Sequence, residues 1–185
     1  MARPRTHDSS VRLRLIEAAS EQLASGGPGA VSLRSAAAAA QTTTAAVYSL
    51  FGDRESLIQA VIDEGFRRFA AYLNDVNQTD NGWADLLALG IAYRRNALEN
   101  PHFYRSMFAS GSPQCARPTF ERLVTAVARA NNLDPTDAET PAVRVWAYVH
   151  GLVMLELSGL MPGSDEEREN AYIAALRAAG SIITG

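Results

Sequence analysis

Apolar residues recur every three or four positions along most of the chain, the spacing of one helix face, and no stretch alternates as a half-buried strand does. Residues 11–25 set Leu15, Ala19 and Leu23 on one face and stop at Gly26-Gly27-Pro28-Gly29. Ser32 precedes an alanine-rich run over 33–40, a composition that favours helix. Gln41-Thr42 interrupts it, and Thr43 is placed to cap a short helix over 43–50. After Gly52-Asp53 a longer helix is predicted, with Ile58, Ile62, Phe66, Phe69, Leu73 and Val76 at helical spacing. A polar connection over 77–82 leads to a helix over 83–99, closed by the restriction on residues that precede Pro101. Helices over 102–110 and 118–131 follow, separated by Gly111-Ser112-Pro113. A long apolar helix over 138–161 ends at Pro162-Gly163. Ser164 opens the last helix, and Asp165, Glu166 and Glu167 in its first turn suit the helix dipole. The expected fold is all-α, with about nine helices and no internal repeat.

Composition adds bounds rather than direction. The chain has 185 residues, 47% of them hydrophobic, enough to bury a real core. Every basic side chain is Arg, and the net charge of -3 does not by itself suggest a nucleic-acid partner. Divided after Arg54, the first part carries six Arg and four acids, and the remainder eleven Arg and sixteen acids. A basic head on an acidic body permits DNA contact. Cys115 is the only cysteine, which excludes an internal disulfide framework and a cysteine-based zinc site. His102 and His150 lack an evident third ligand, so neither metal nor cofactor is expected. Residues 1–10 are polar, unlike a secretory signal, and a cytoplasmic protein is expected. Arg144, His150 and Glu156 interrupt the apolar stretch over 143–160. A charge at mid-membrane costs roughly 2.5–3.5 kcal/mol, so a helix buried in protein is expected there rather than a membrane span. No nucleophile–base–orienter set or phosphate loop is visible, so an enzyme is not expected.

Two short helices joined by a tight turn, the second ending in aromatic residues, have the layout of a helix-turn-helix. Val31-Ser32-Leu33-Arg34, Ala36-Ala37, Thr43-Thr44-Ala45-Ala46-Val47-Tyr48-Ser49-Leu50-Phe51 and Asp53-Arg54-Glu55-Ser56-Leu57 stand at fixed spacing. With Ile16-Glu17-Ala18-Ala19 and Gly26-Gly27 upstream, this pattern resembles the DNA-binding domain of the TetR family over about the first 65 residues. Four departures stand out. Gln41-Thr42 replaces the usual Gly-Val of the turn, Leu50 a His, Arg54 a Lys, and Ala36 the core Ile of the second helix.

The resemblance implies a helix-turn-helix domain over 1–54 and a helical ligand-binding and dimerisation domain over 55–185. It implies a homodimeric, one-component transcriptional regulator, a repressor that binds a palindromic operator and is released by a small hydrophobic ligand. The segment 43–48 would enter the major groove. There Thr44, Ala45 and Ala46 let base edges approach, with Thr42 at the entry of the helix. Ser32, Thr43, Tyr48 and Arg54 would hold phosphates, Arg34 a base or a phosphate, and Arg3 and Arg5 the adjacent minor groove. The last two helices resemble the pair that forms a four-helix bundle across the family's two-fold axis, with Ala171, Ala174, Ala175, Ala178, Leu176 and Ile182 on the last one.

Further on, Val145-Trp146-Ala147-Tyr148-Val149-His150-Gly151-Leu152 resembles the Trp-His-Gly class of TetR-like C-terminal domains. Trp146 and His150, four apart, share a helix face. They read equally as a core indole with a hydrogen-bonded histidine or as a ligand-facing pair. A pocket for a small hydrophobic ligand is expected among Phe66, Phe69, Trp83, Leu87, Ile91, Tyr104, Met107, Phe108, Trp146 and His150. The same residues equally describe an ordinary core. The alternative to a regulator is a helical dimeric scaffold or small-molecule binder whose helix-turn-helix no longer binds DNA.

Overall fold

The computed structural model of the chain describes residues 5–109 and 113–180, and side chains over 8–108 and 116–180. Among the described residues there are nine α-helices, a 3-10 turn at Pro28–Ala30, and no strand. The helices are α1 (Arg5–Gly26), α2 (Leu33–Ala39), α3 (Thr44–Phe51), α4 (Arg54–Asn74), α5 (Gly82–Glu99), α6 (Pro101–Ala109), α7 (Pro113–Asn131), α8 (Pro135–Leu157) and α9 (Asp165–Ala178). None of them is long and apolar enough to cross a membrane.

Helix starts follow from short polar side chains that satisfy otherwise unpaired backbone N–H groups. Ser32 Oγ accepts from the Ser35 N–H at 3.3 Å and Thr43 Oγ1 from the Ala46 N–H at 3.2 Å. Asp53 Oδ1 accepts from the Ser56 N–H at 2.7 Å, and hydrogen bonds from the Ser56 side chain and then its backbone hold the Asp53 carboxyl below the usual carboxylate range. Ser164 and Glu167 close a reciprocal capping box at the head of α9. Several boundaries differ from expectation, beginning with α1, which starts at Arg5 rather than 11. Helix α7 begins at Pro113 rather than 118 and runs through Pro118. Helix α8 begins at Pro135, after its cap Asp134, and ends at Leu157 instead of continuing to 161. Gly159 takes a left-handed φ of 71° there. The Leu160 N–H then folds back onto the Leu155 carbonyl at 3.0 Å, the bond that terminates a helix in a Schellman turn. The glycine just past the C-cap Ser158 stops α8 before Pro162 is reached.

The chain divides into two compact units, the first running to Arg67 with Asn100–Cys115, the second taking Arg68–Glu99 and Ala116–Gly185. In the first, Leu15, Ile16, Ala19 and Leu23 of α1 meet Ala36, Ala37 and Ala40, Val47 of α3, and Leu57 and Val61 of α4. Phe103 brings α6 into this core, and Ser106 Oγ bonds the Ser20 carbonyl at 3.4 Å as well as its own helix at His102. Ala36 is fully buried, so the smaller residue still seats α2 on the core.

In the second unit α5 is the central element. Gly90 lets α9 approach closely, since a methyl group there would meet Leu176 Cδ1 at 2.7 Å. The Tyr172 hydroxyl donates to the Gly90 carbonyl at 2.8 Å, and burial pushes that phenol far above its ordinary pKa. Beside it Arg94, itself buried, makes a bidentate bond to Glu156 of α8, both contacts at 2.7 Å. Arg168 and Glu169 of α9 extend the cluster at 3.4 and 3.8 Å. One buried guanidinium thereby joins three helices.

Candidate nucleic-acid interface

Two short helices and the turn between them shape the surface of the first unit. The turn closes because Gln41 takes a left-handed φ of 54°, which lets the Thr42 N–H reach the Ala37 carbonyl at 2.9 Å. Val47 is the inward anchor of α3. The other side carries Thr43, Thr44, Ala45, Tyr48 and Ser49, all exposed, with Thr42 half-buried at its entry. Tyr48 is 58% exposed, a large aromatic ring facing outward from an otherwise small-residue face. Short side chains bring the helix axis close to whatever lies against it, and hydroxyls and methyls are what they offer. Ser32 and Thr43 each accept a backbone N–H, which leaves the hydroxyl proton of each free to donate to an incoming oxygen. Arg34 is exposed on α2.

Arg54 is differently placed from a simple surface cation. Its Nη2 donates to the Pro28 carbonyl, tying the head of α4 to the link between α1 and α2, and its Nε is buried with no hydrogen-bond partner. A further cation stands at this surface that sequence reasoning missed. Arg12, exposed on α1, lies over the Phe51 ring at the end of α3, its Cζ 5.3 Å from the ring centroid. No local signal joins these two residues, because they meet only once α1 and α3 pack. Leu50 sits half-buried against the core. Arg3 lies outside the described residues, as does the side chain of Arg5.

Comparison with known proteins decides the family. A model for the bacterial regulatory proteins of the tetR family matches residues 15–61, and one for the tetracyclin repressor-like C-terminal domain matches 86–179. The chain belongs to the TetR family. Solved structures of similar fold include a TetR-family transcription regulator from Marinobacter aquaeolei VT8, 24% identical, covering 95% of this chain and 98% of that one, with a TM-score of 0.69. A TetR-like transcriptional regulator from Rhodococcus sp. RHA1 is 15% identical, with coverage of 97% and 100% and a TM-score of 0.75. A protein with unknown function from the same source is 25% identical, with coverage of 94% and 93% and a TM-score of 0.72. No curated protein sequence matches the chain significantly. As a TetR-family member the chain is a transcription regulator rather than an enzyme, with a DNA-binding and a ligand-binding domain.

The ten pocket residues expected from the sequence divide between the two units. Phe66, Tyr104, Met107 and Phe108 lie in the first, where the three rings meet edge to face: Phe66–Phe108 at 6.4 Å and Tyr104–Phe108 at 5.2 Å. Met107 fills the space over Gly65. Phe69, Trp83, Leu87, Ile91, Trp146 and His150 lie in the second. Phe69 packs edge-on against Tyr93 at 5.1 Å, and the Tyr93 hydroxyl shares a 3.1 Å hydrogen bond with His150 Nδ1. Burial holds His150 below the ordinary imidazole range, hence neutral at pH 7. Trp146 packs on Phe120 at 5.9 Å. Trp83 and Ile91 face solvent, 43% and 36% exposed, and Leu87 is half-buried beside them. Tyr93 and Phe120 were not anticipated, since their partners sit on other helices.

Proposed function

We propose that the protein is a homodimeric, cytoplasmic, one-component repressor that binds a palindromic operator and releases it when a small ligand is bound. The observation that carries this reading is the outward face of α3. Thr44, Ala45 and Tyr48 project together from a helix anchored behind by Val47 and capped by Thr43, in a chain of a DNA-binding family. DNA binding is assigned to residues 1–54, and ligand binding and dimerisation to 55–185. Phosphates are held by Ser32, Thr43 and Tyr48, with Arg12 adding a cation at the end of α3 and Arg54 bracing the same corner. Base edges are read by Thr42, Thr44, Ala45 and Arg34.

Support for the dimer comes from α8 and α9. Val143, Ala147, Gly151 and Leu155 recur every four residues on α8 and are exposed, Val143 at 50%. Ala171, Ala174 and Ala178 form a matching exposed strip on α9. Two copies meeting through these strips close a four-helix bundle and leave one recognition helix on each copy, which accounts for a palindromic site. Ligand binding is assigned to the aromatic side chains around Phe69, Tyr93, Trp146 and His150. Release requires the ligand to favour the geometry that does not fit DNA, and a hundredfold release corresponds to about 2.8 kcal/mol of differential binding.

The test is footprinting on the DNA flanking the protein's own gene. Protection of two half-sites about 34–36 Å apart, or a stretched equivalent, is expected. Protection of one half-site only, or none at any concentration, would refute the reading and leave a scaffold.

A further inference from the structure

Helix α2 rests on the core of the first unit mainly through methyl groups. Ala36 and Ala37 are its buried residues, Ala40 is buried at its C-cap, and Leu33 is only partly covered. Each methyl removes little apolar surface from water, so packing alone holds a seven-residue helix loosely in place. Two polar side chains of α1 add directional ties. Gln22 Oε1 accepts from the Ser32 N–H at 2.8 Å, and Arg14 Nε donates to the Ala40 carbonyl at 3.1 Å.

These ties take the two ends of α2. The Ser32 N–H is the group that a capping box satisfies with a Glu or Gln three residues into the helix. Ser35 stands at that position, and Gln22 closes the box from another helix instead. At the other end, the Ala40 carbonyl belongs to a helix C-terminus, where acceptors lack partners within the helix and a cation suits the dipole. Gln22 and Arg14 are eight residues apart, and so are Ser32 and Ala40. Two antiparallel spans of about 12 Å are therefore pinned at both ends. Directly after Ala40 comes Gln41, whose left-handed φ of 54° turns the chain into α3. Fixing Ala40 thus fixes where α3 begins.

We infer that Gln22 and Arg14 are positioning residues for DNA recognition, holding α2, and through the turn α3, at the angle from which α3 meets base edges. The inference rests on the DNA-binding half of the proposed function and deepens it: residues of α1 set specificity without reading a base. When a tie is lost, the competent arrangement becomes one of several, and apparent affinity falls with the fraction of time it is populated. Non-specific binding depends on charge rather than on this geometry and is left intact.

The test titrates the full-length protein and its variants, at one salt concentration, with the DNA flanking its own gene and with an unrelated duplex of equal length. Gln22→Leu keeps the side-chain bulk but cannot accept a hydrogen bond. It is expected to lose roughly three- to tenfold in affinity for the flanking DNA, the range of one net hydrogen bond, and nothing for the unrelated duplex. Gln22→Glu keeps an acceptor and restores the ratio of the two affinities, even as its charge lowers both. Arg14→Met cuts the other tie and lowers the same ratio, which serves where Gln22→Leu does not fold. A ratio that stays unchanged in Gln22→Leu and Arg14→Met, or that Gln22→Glu fails to restore, would overturn the inference. Amide exchange reads the tie itself: the Ser32 N–H, exposed on the surface, exchanges slowly in the unaltered protein and faster in Gln22→Leu. Should the unaltered protein not distinguish the two duplexes, the repressor reading fails by itself, and equal Ser32 exchange in both proteins would remove the clamp as well.

Discussion

Gln41 stands in a backbone conformation that glycine adopts at much lower cost, because its Cβ crowds the neighbouring carbonyl when φ is positive. Gln41→Gly is expected to stabilise the protein by about 1 kcal/mol, part of the gain being offset by the freer unfolded glycine. Calorimetry should show a rise of about 2–4 °C. At the same surface, Tyr48 and Arg54 make opposite predictions about stability. Tyr48→Ala removes an outward ring and lowers affinity for all DNA sequences with an unchanged melting temperature. Arg54→Ala also cuts the tie to the Pro28 carbonyl, so affinity and melting temperature fall together. Arg12→Gln keeps the fold, weakens binding to every sequence, and reduces the slope of log affinity against log salt by about 1, the signature of one lost phosphate contact. Gel-shift titrations across a salt series check both.

Elements in the second unit are tied together by groups whose titration can be followed. Hydrogen bonds from Thr79, aided by Arg129, hold the Asp85 carboxyl below its ordinary range. Its stabilising effect is present above the unfolded value of about 3.9 and is lost as pH falls through the lower folded value. His150 acts over a higher window. Its folded pKa is depressed by burial, so below about 6.5 the unfolded chain takes up a proton that the folded one refuses, and stability declines as the pH drops. A melting-temperature profile should therefore fall first below about 6.5 and again below about 3.9. His150→Gln flattens the upper limb alone, and Asp85→Asn lowers the neutral plateau and flattens the lower limb. A profile unaffected by His150→Gln would mean that the Tyr93–His150 bond survives protonation.

At the scale of the whole molecule, the outward strips on α8 and α9 predict the effect of a single charge. Ala178→Glu puts a carboxylate at the centre of the proposed contact, where an unpaired buried charge is strongly disfavoured. Sedimentation should show monomers, with operator binding lost because two half-sites are no longer held together. A dimer that survives would place the contact on another face. Compaction also assigns α6 unexpectedly: it follows α5 in the chain yet contributes Phe103 and Ser106 to the core of the first unit. The compact units therefore cut across the division proposed at residue 54.

Local signals made much of this legible. Ser32, Thr43 and Ser164 cap helices where a hydroxyl precedes a helical run, because a cap is a contact between residues three apart. The helix-turn-helix was readable for the same reason: its spacing is short-range, and the family comparison agrees with it. The end of α8 was decided locally too, but by Gly159, an effect hidden behind the more conspicuous Pro162-Gly163. Only the packed chain could decide the rest. Helix α5 is apolar on more than one side, so periodicity could not say that Leu86 and Leu89 turn inward while Trp83 and Ile91 face solvent. Arg54 bonding Pro28 and Arg12 covering Phe51 depend on which distant segment arrives beside each side chain. A sequence specifies a helix through neighbours within one turn. Which face is covered, and by whom, is settled by long-range packing.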